Sequence, residues 1–328
     1  MNPENMETVA TLSDTSTVMR QIIANVERVI AGKGDEVGSA VICLFAEGNL
    51  LLEGVPGVGK TMLARSLARS IGGSFRRVQA TPDLLPSDVT GVSIYDQDRH
   101  EFRFVPGPVF ANVVLVDEIN RTTPRTQSAL LEPMEEKQAT VEGVTHPLPD
   151  PFFLVATENP IEHHGTYPLP EGQLDRFAMS VSIDYPDPSA AREVVTRQLL
   201  RHPIEDLQPT TTAEEVSALR LPVREVHVAD ELIDYAVQLV TATRGHQDVQ
   251  LGASPRSTLA LTRCSQARAA WQGRPFVLPD DMKALAPSVL AHRLVLKGQR
   301  RSEHHGGRKV IEEILAVVPV PLGVTESA

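Results

Sequence analysis

The sequence predicts an α/β fold: a parallel, five-stranded sheet flanked by helices, followed by a smaller all-α domain. Three observations carry that expectation. Five short segments, at residues 50–52, 75–80, 112–116, 152–156 and 178–183, read as strands, with helical stretches between several of them. Val113-Val114-Leu115-Val116 and Phe152-Phe153-Leu154-Val155 are apolar without alternation, the pattern of strands covered on both faces. After Asp184-Tyr185-Pro186-Asp187-Pro188 no strand pattern returns. Strands joined through helices pair in parallel by right-handed crossovers.

In chain order, residues 1–17 are polar and read as a loose N-terminus. Met19, Ile22, Ile23, Val26, Val29 and Ile30 then follow helical spacing, and Ala31-Gly32-Lys33-Gly34-Asp35 ends that helix. A second helix is expected over 35–46. Two hairpins interrupt the core: residues 91–96 and 101–105 alternate around Gln97-Asp98-Arg99-His100, and 139–146 form a second pair before Pro147. Thr123-Pro124 caps a helix through Gln127, Leu130 and Leu131, which Pro133 should bend. Residues 190–200, 230–243, 255–271 and 279–292 read as helices, and 203–212 as a linker. The expected division is 1–17, a core at 18–186 with two hairpin inserts, a helical domain with its linker at 187–303, and a tail at 304–328.

Composition narrows the function classes. The 328 residues include 31 Lys and Arg against 42 Asp and Glu, a formal charge of −11. An acidic surface repels nucleic-acid backbones, so no nucleic-acid partner is expected. Arg300, Arg301, Arg308 and Lys309, with Glu303 among them, read as a solvated segment. Cys43 and Cys264 are too few for a disulfide framework or a zinc pattern. The polar N-terminus does not resemble a secretory signal, and no apolar run approaches a membrane span, so a cytoplasmic protein without membrane insertion is expected.

The chemistry is written most densely at Gly54-Val55-Pro56-Gly57-Val58-Gly59-Lys60-Thr61, a full match to G-x-x-x-x-G-K-[ST]. It follows the apolar run 49–53 and opens a helical stretch. Glycines let backbone N–H groups turn inward around an anion, and the helix aims its positive end at the same spot. Lys60 can then reach phosphate oxygens and Thr61 can offer its hydroxyl to Mg²⁺. Asp117-Glu118 end another strand, where ligands of parallel sheets sit. Asp117 suits Mg²⁺ and Glu118 suits activation of water. Asn159, after the strand at 152–156, can hydrogen-bond that water or a γ-phosphate.

These residues resemble the AAA+ ATPases, and among them the MoxR family. The resemblance spans roughly 29–296 and rests on LLEGVPGVGKT, TPDLLPSDVTG, FVPGPVFANVVLVDEINR, TQSALLE, VATENPIEHHGTYPLPEGQLDRF and LGASPR. It implies ATP and Mg²⁺ as ligands, Asn159 as the sensor 1 position, and Arg256 as a sensor 2 reaching ATP from the helical lid. It implies that Arg176 is an arginine finger entering a neighbouring subunit's site, with Arg121 and Arg125 as further candidates. The hairpins resemble the helix-2 insert and pre-sensor-1 hairpin of this branch. The family implies a ring, usually a hexamer, that hydrolyses ATP to remodel or mature protein partners, often proteins with a von Willebrand factor A domain. Glu158, His163-His164 and Pro133 depart from the family pattern, away from the nucleotide chemistry. Alternatives are a magnesium-chelatase-like ATPase subunit, a nucleotide-gated scaffold with little turnover, and a nucleic-acid-linked AAA+ factor, against which the acidic charge argues.

Overall fold

Thr11 fixes the first helix. Its hydroxyl accepts the Asp14 N–H at 3.2 Å, and the Asp14 carboxylate accepts the Thr11 N–H at 3.0 Å, a reciprocal capping box. Helix α1 runs Leu12–Glu27. Thr15 and Ser16 are buried, and the Ser16 hydroxyl donates to the Trp271 carbonyl at 2.9 Å. The loose N-terminus expected over 1–17 is therefore corrected from Leu12 onward, because capping and docking outweigh the polar composition. A computed structural model describes residues 11–159, 165–199, 202–298 and 304–321. Residues 1–10, His163-His164, Arg300, Arg301, Glu303 and 322–328 lie outside the described residues.

After α2 (Gly34–Phe45) the chain enters β1 (Leu50–Glu53), α3 (Lys60–Ser70), β2 (Phe75–Gln79) and α4 (Pro86–Thr90). The first hairpin is β3 (Gly91–Asp96) and β4 (Glu101–Pro106), followed by β5 (Val113–Asp117). Helices α5 (Pro124–Ser128) and α6 (Leu131–Glu136) precede the second hairpin, β6 (Gln138–Val141) and β7 (Val144–Pro147). Pro133 lies in the first turn of α6, where its missing N–H is harmless, and the break falls earlier, between Ser128 and Leu131. Strand β8 (Phe153–Glu158), α7 (Glu171–Leu174) and β9 (Met179–Ser182) complete the core.

The five core strands pair in parallel in the order β2-β5-β8-β1-β9. Strands β1 and β5 are buried at every residue. Their side chains divide between two layers. Leu50, Leu52, Val113 and Leu115 pack with α1 to α3, while Leu51, Val114 and Val116 pack with Val89, Leu130 and Phe177. That two-sided burial is why the strands read as continuous apolar runs.

The second domain begins with α8 (Pro188–Gln198) and continues through α9 (Ala213–Arg224), α10 (Asp230–Gly245), β10 (Val249–Leu251), α11 (Pro255–Trp271), α12 (Pro279–Leu290), β11 (Val295–Leu296) and α13 (His304–Val317). Three sequence expectations are corrected here. The segment 203–212 is strapped down: Ile204 and Leu207 are buried, and the Thr210 N–H donates to the Ser70 carbonyl at 2.9 Å. Strands β10 and β11 form a small antiparallel pair, too short to show alternation. The expected tail at 304–328 starts with α13, whose Val310, Ile311 and Ile314 are buried. Arg308 lines a small polar hollow with Glu53, Ser180 and His292, whereas Lys309 is exposed, 3.8 Å from Glu313. Among the described residues no helix is long and apolar enough to cross a membrane.

Candidate functional site

Strand β1 delivers the chain to Gly54 at the carboxyl end of the sheet. A Cβ on Gly54 would stand 2.3 Å from the Ile183 carbonyl oxygen, and Gly59 has φ +96°, so the loop requires glycine at both positions. Gly59 caps α3, so the helix's first N–H groups open onto the loop. Lys60 is the first residue of α3, and its ammonium donates to the Gly54 carbonyl and, at 3.4 Å, to the Glu158 carbonyl. Residues 56–62 line a cleft of about 560 Å³ with Arg77, Asp117, Glu118 and Asn159. Gly54 and Val55 complete the loop behind it. Its other wall is formed by Val29 and Ile30 beyond α1, Pro186, Val194 of α8 and His202. One end of the cleft is thus lined by the glycine loop, Lys60 and the acids, and the other mostly by apolar side chains.

The two acids are held by a continuous polar chain. The Thr157 hydroxyl donates to Asp117 Oδ1 at 2.6 Å and accepts the Glu118 N–H at 2.8 Å. The Arg77 guanidinium donates to Asp117 Oδ2 at 3.1 and 2.6 Å. It also donates to Gln79 Oε1 at 2.5 Å, and the Gln79 amide donates in turn to Glu118 Oε2 at 3.0 Å. Arg121 Nε stands 3.2 Å from the same Glu118 oxygen. Glu118 itself adopts a left-handed backbone, φ +57°, which turns the chain sharply after β5. Such a conformation costs about 1–2 kcal/mol in a residue with a Cβ. The residues present fit a magnesium nucleotide: the loop and Lys60 for phosphate, the Thr61 hydroxyl and Asp117 for the metal. Arg77, a cation already drawn onto Asp117, shows that the carboxylate attracts positive charge at this place.

Lys60, Thr61, Asp117, Glu118 and Asn159 therefore share one cleft, as the sequence pattern anticipates. Arg176 and Arg256 do not join them. Both line a second cavity of about 360 Å³, which shares no lining residue with the first. That cavity includes Gly48, Asn49 and Ala178, at the amino ends of β1 and β9. Four residues of β1 separate it from the glycine loop, about 13 Å of extended chain. Arg256, expected to reach ATP from the helical lid, does not line the glycine-loop cleft of its own chain. Ser254, which precedes α11, donates its hydroxyl to Asp175 at 2.9 and 2.8 Å, and this joint places Arg256 beside Arg176. Arg256 Nη1 lies 2.6 Å, and Arg176 Nε 2.9 Å, from Glu135. Behind them Arg293 is buried, donates to the Phe177 carbonyl at 2.7 Å and faces Asp175 at 3.7 Å. Burial pulls its guanidinium down to about 10, with Asp175 opposing. Arg125 is exposed on α5, and Arg121 faces the acid of its own chain.

Sequence reasoning missed Arg77, Gln79, Thr157 and Glu135. Part of the signal was present. Arg77 and Gln79 are two apart on β2, so they share a face, and β2 neighbours the strand that carries Asp117.

Known proteins resemble this chain closely. The profile of the ATPase family associated with various cellular activities (AAA) matches residues 49–179, and an AAA lid domain profile matches 241–314. YeaC of Bacillus subtilis is 47% identical over 309 residues, covering 94% of this chain and 97% of the relative. Chaperone MoxR1 of Mycobacterium tuberculosis is 41% identical, covering 92% and 82% respectively. The crystal structure of a candidate ATPase from Cytophaga hutchinsonii superposes with a TM-score of 0.85 at 37% identity, covering 94% of this chain and 97% of that one. With the fold, the phosphate-loop geometry and this degree of likeness in agreement, the chain belongs to the MoxR family of AAA+ ATPases.

Proposed function

We propose that this chain binds ATP with Mg²⁺ in the 560 Å³ cleft, hydrolyses it within a ring, and uses the resulting movement in a chaperone-like role on protein partners. The observation that carries this reading is the split of one chemistry between the two ends of the sheet. Glycine loop, Lys60 and both acids sit at the carboxyl end; two arginines sit at the amino end. One chain cannot bring them together, but a head-to-tail neighbour can, and head-to-tail contacts close into rings. Lys60 and the loop amides would hold the phosphates, and Thr61 and Asp117 the hydrated metal. Bound there, Mg²⁺ would supply neutralisation of phosphate charge. Glu118 would orient the attacking water with Asn159. Arg176 and Arg256 would both serve the neighbour's site, where a trans arginine is worth roughly 10³–10⁵ in rate.

A protein client is supported by the first hairpin. Ile94, Tyr95 and Phe102 are exposed, Phe102 at 71%, in a chain where aromatics are only 4% of residues. Exposed apolar groups gathered at a hairpin tip mark an interaction surface. A hexamer, and partners with a von Willebrand factor A domain, belong to the same proposal. Losing the γ-phosphate would loosen the arginine contacts and let the hairpins shift against the client. ATP turnover by purified protein tests the reading, with Glu118→Gln as comparison. Binding retained and turnover lost in Glu118→Gln supports it. Equally slow turnover by both proteins makes the chain a nucleotide-gated scaffold instead.

A further inference from the structure

Glu135, in the last turn of α6, lies in the wall of the second cavity. Its two carboxylate oxygens are divided between the two arginines: Oε2 lies 2.9 Å from Arg176 Nε and Oε1 2.6 Å from Arg256 Nη1. Arg176 follows α7 in the core, and Arg256 belongs to α11 of the helical domain. One acid therefore bridges both domains. Carboxylate and phosphate offer guanidinium groups the same thing, a pair of anionic oxygens at hydrogen-bonding distance. Glu135 is 32% exposed at its side chain and Arg256 is 47% exposed, so the contact faces solvent rather than the core.

We infer that Glu135 is an internal stand-in for phosphate. It holds Arg176 and Arg256 together while no neighbour's nucleotide is present, and it must give up both when a neighbour's terminal phosphate arrives. This rests on the reading that the two arginines act on an adjoining protomer. The exchange leaves neither domain without an acid, because Asp175 stays with Ser254 and Arg293. It also has a mechanical consequence. One turn before Glu135, Glu132 accepts the Thr140 N–H at 2.9 Å and the Thr140 hydroxyl at 2.6 Å. The helix gripping the arginines thus also grips β6 of the second hairpin. Release of Glu135 frees α6 to move with that hairpin, linking the neighbour's nucleotide to a surface feature.

Breaking two ion pairs is a conformational tax on assembly, and removing it lowers the ATP needed. The test uses the full chain carrying Glu118→Gln, so that hydrolysis does not intervene. Analytical ultracentrifugation gives the ATP concentration at half-maximal assembly. Adding Glu135→Gln, which keeps the shape and removes the charge, should lower it by about 5-fold or more, the lower end of usual coupling factors. In proteins that also carry Arg176→Ala and Arg256→Ala, Glu135→Gln should change nothing. The inference is overturned if Glu135→Gln leaves the half-point unmoved or raises it, or if the shift survives loss of both arginines. The underlying reading has its own indicator. If the two arginine substitutions alone do not weaken ATP-driven assembly, that reading fails and takes this inference with it. If they do weaken it and Glu135→Gln has no effect, only the stand-in role fails.

Discussion

Asp175→Asn should loosen the joint between the core and the helical domain. Asp175 accepts the Ser254 hydroxyl and is the acid nearest to buried Arg293, whose side chain is 2% exposed. Taking away one partner of a buried pair costs about 3–5 kcal/mol. Two features of the geometry reduce that figure: the Arg293–Asp175 distance is 3.7 Å, and Asp175 is itself 21% exposed. Asparagine also keeps a hydrogen bond to Ser254, losing only its charge-assisted part. The expected loss is therefore roughly 2–3 kcal/mol, or about 4–12 °C in the first unfolding transition. Denaturant titration monitored separately in each domain measures it. A double-mutant cycle with Arg293→Met assigns it, because the two losses should not add. A loss under about 0.5 kcal/mol, or strict additivity, would refute the role given to this joint.

Two further outcomes are expected. Gln79→Ala should lower ATP turnover by about 10-fold with ATP affinity nearly unchanged, because it removes one of the contacts that orient Glu118; steady-state kinetics beside nucleotide titration separate the two. Lys137 is held down to about 8 from 10.5, mainly by burial, so the folded state resists its charge. Between those pH values the unfolded chain binds the extra proton and the folded one does not. Stability of the wild type should therefore rise with pH across that window, by about 3 kcal/mol relative to Lys137→Met. Denaturant titrations of both proteins from pH 7.5 to about pH 10.5 check the sign.

The glycine-loop cleft was legible in the sequence because its parts are local. A glycine loop between a strand and a helix, and acids at a strand end, declare their positions through period and punctuation alone. Strands β1 and β5 were legible because they are buried on both faces, so apolar residues such as Leu50, Leu51 and Leu52 run without a break. What failed to show depends on contacts between distant segments. Arg256 sits at the helix start that its motif suggests, yet its destination is set by Ser254 docking on Asp175, 79 residues away. The strap at 203–212 looks like a linker because its anchor, the Ser70 carbonyl, is remote. Helix α9 had a readable start: the Thr212 hydroxyl accepts the Glu215 N–H at 3.2 Å, and Val216, Leu219 and Val223 share its buried face. Pro222 near its end obscured that pattern.

The central claim is that one protomer's nucleotide is completed by the next protomer's arginines. Mixing two inactive proteins tests it most directly. Lys60→Ala removes the lysine proposed to bind phosphate but keeps both arginines; Arg176→Ala with Arg256→Ala does the reverse. Each alone should hydrolyse ATP at background rate. An equimolar mixture should recover about a quarter of the wild-type rate, the share of head-to-tail contacts that pair an intact cleft with intact arginines. A mixture no faster than its components, or a double arginine variant that works alone at the wild-type rate, would contradict the account.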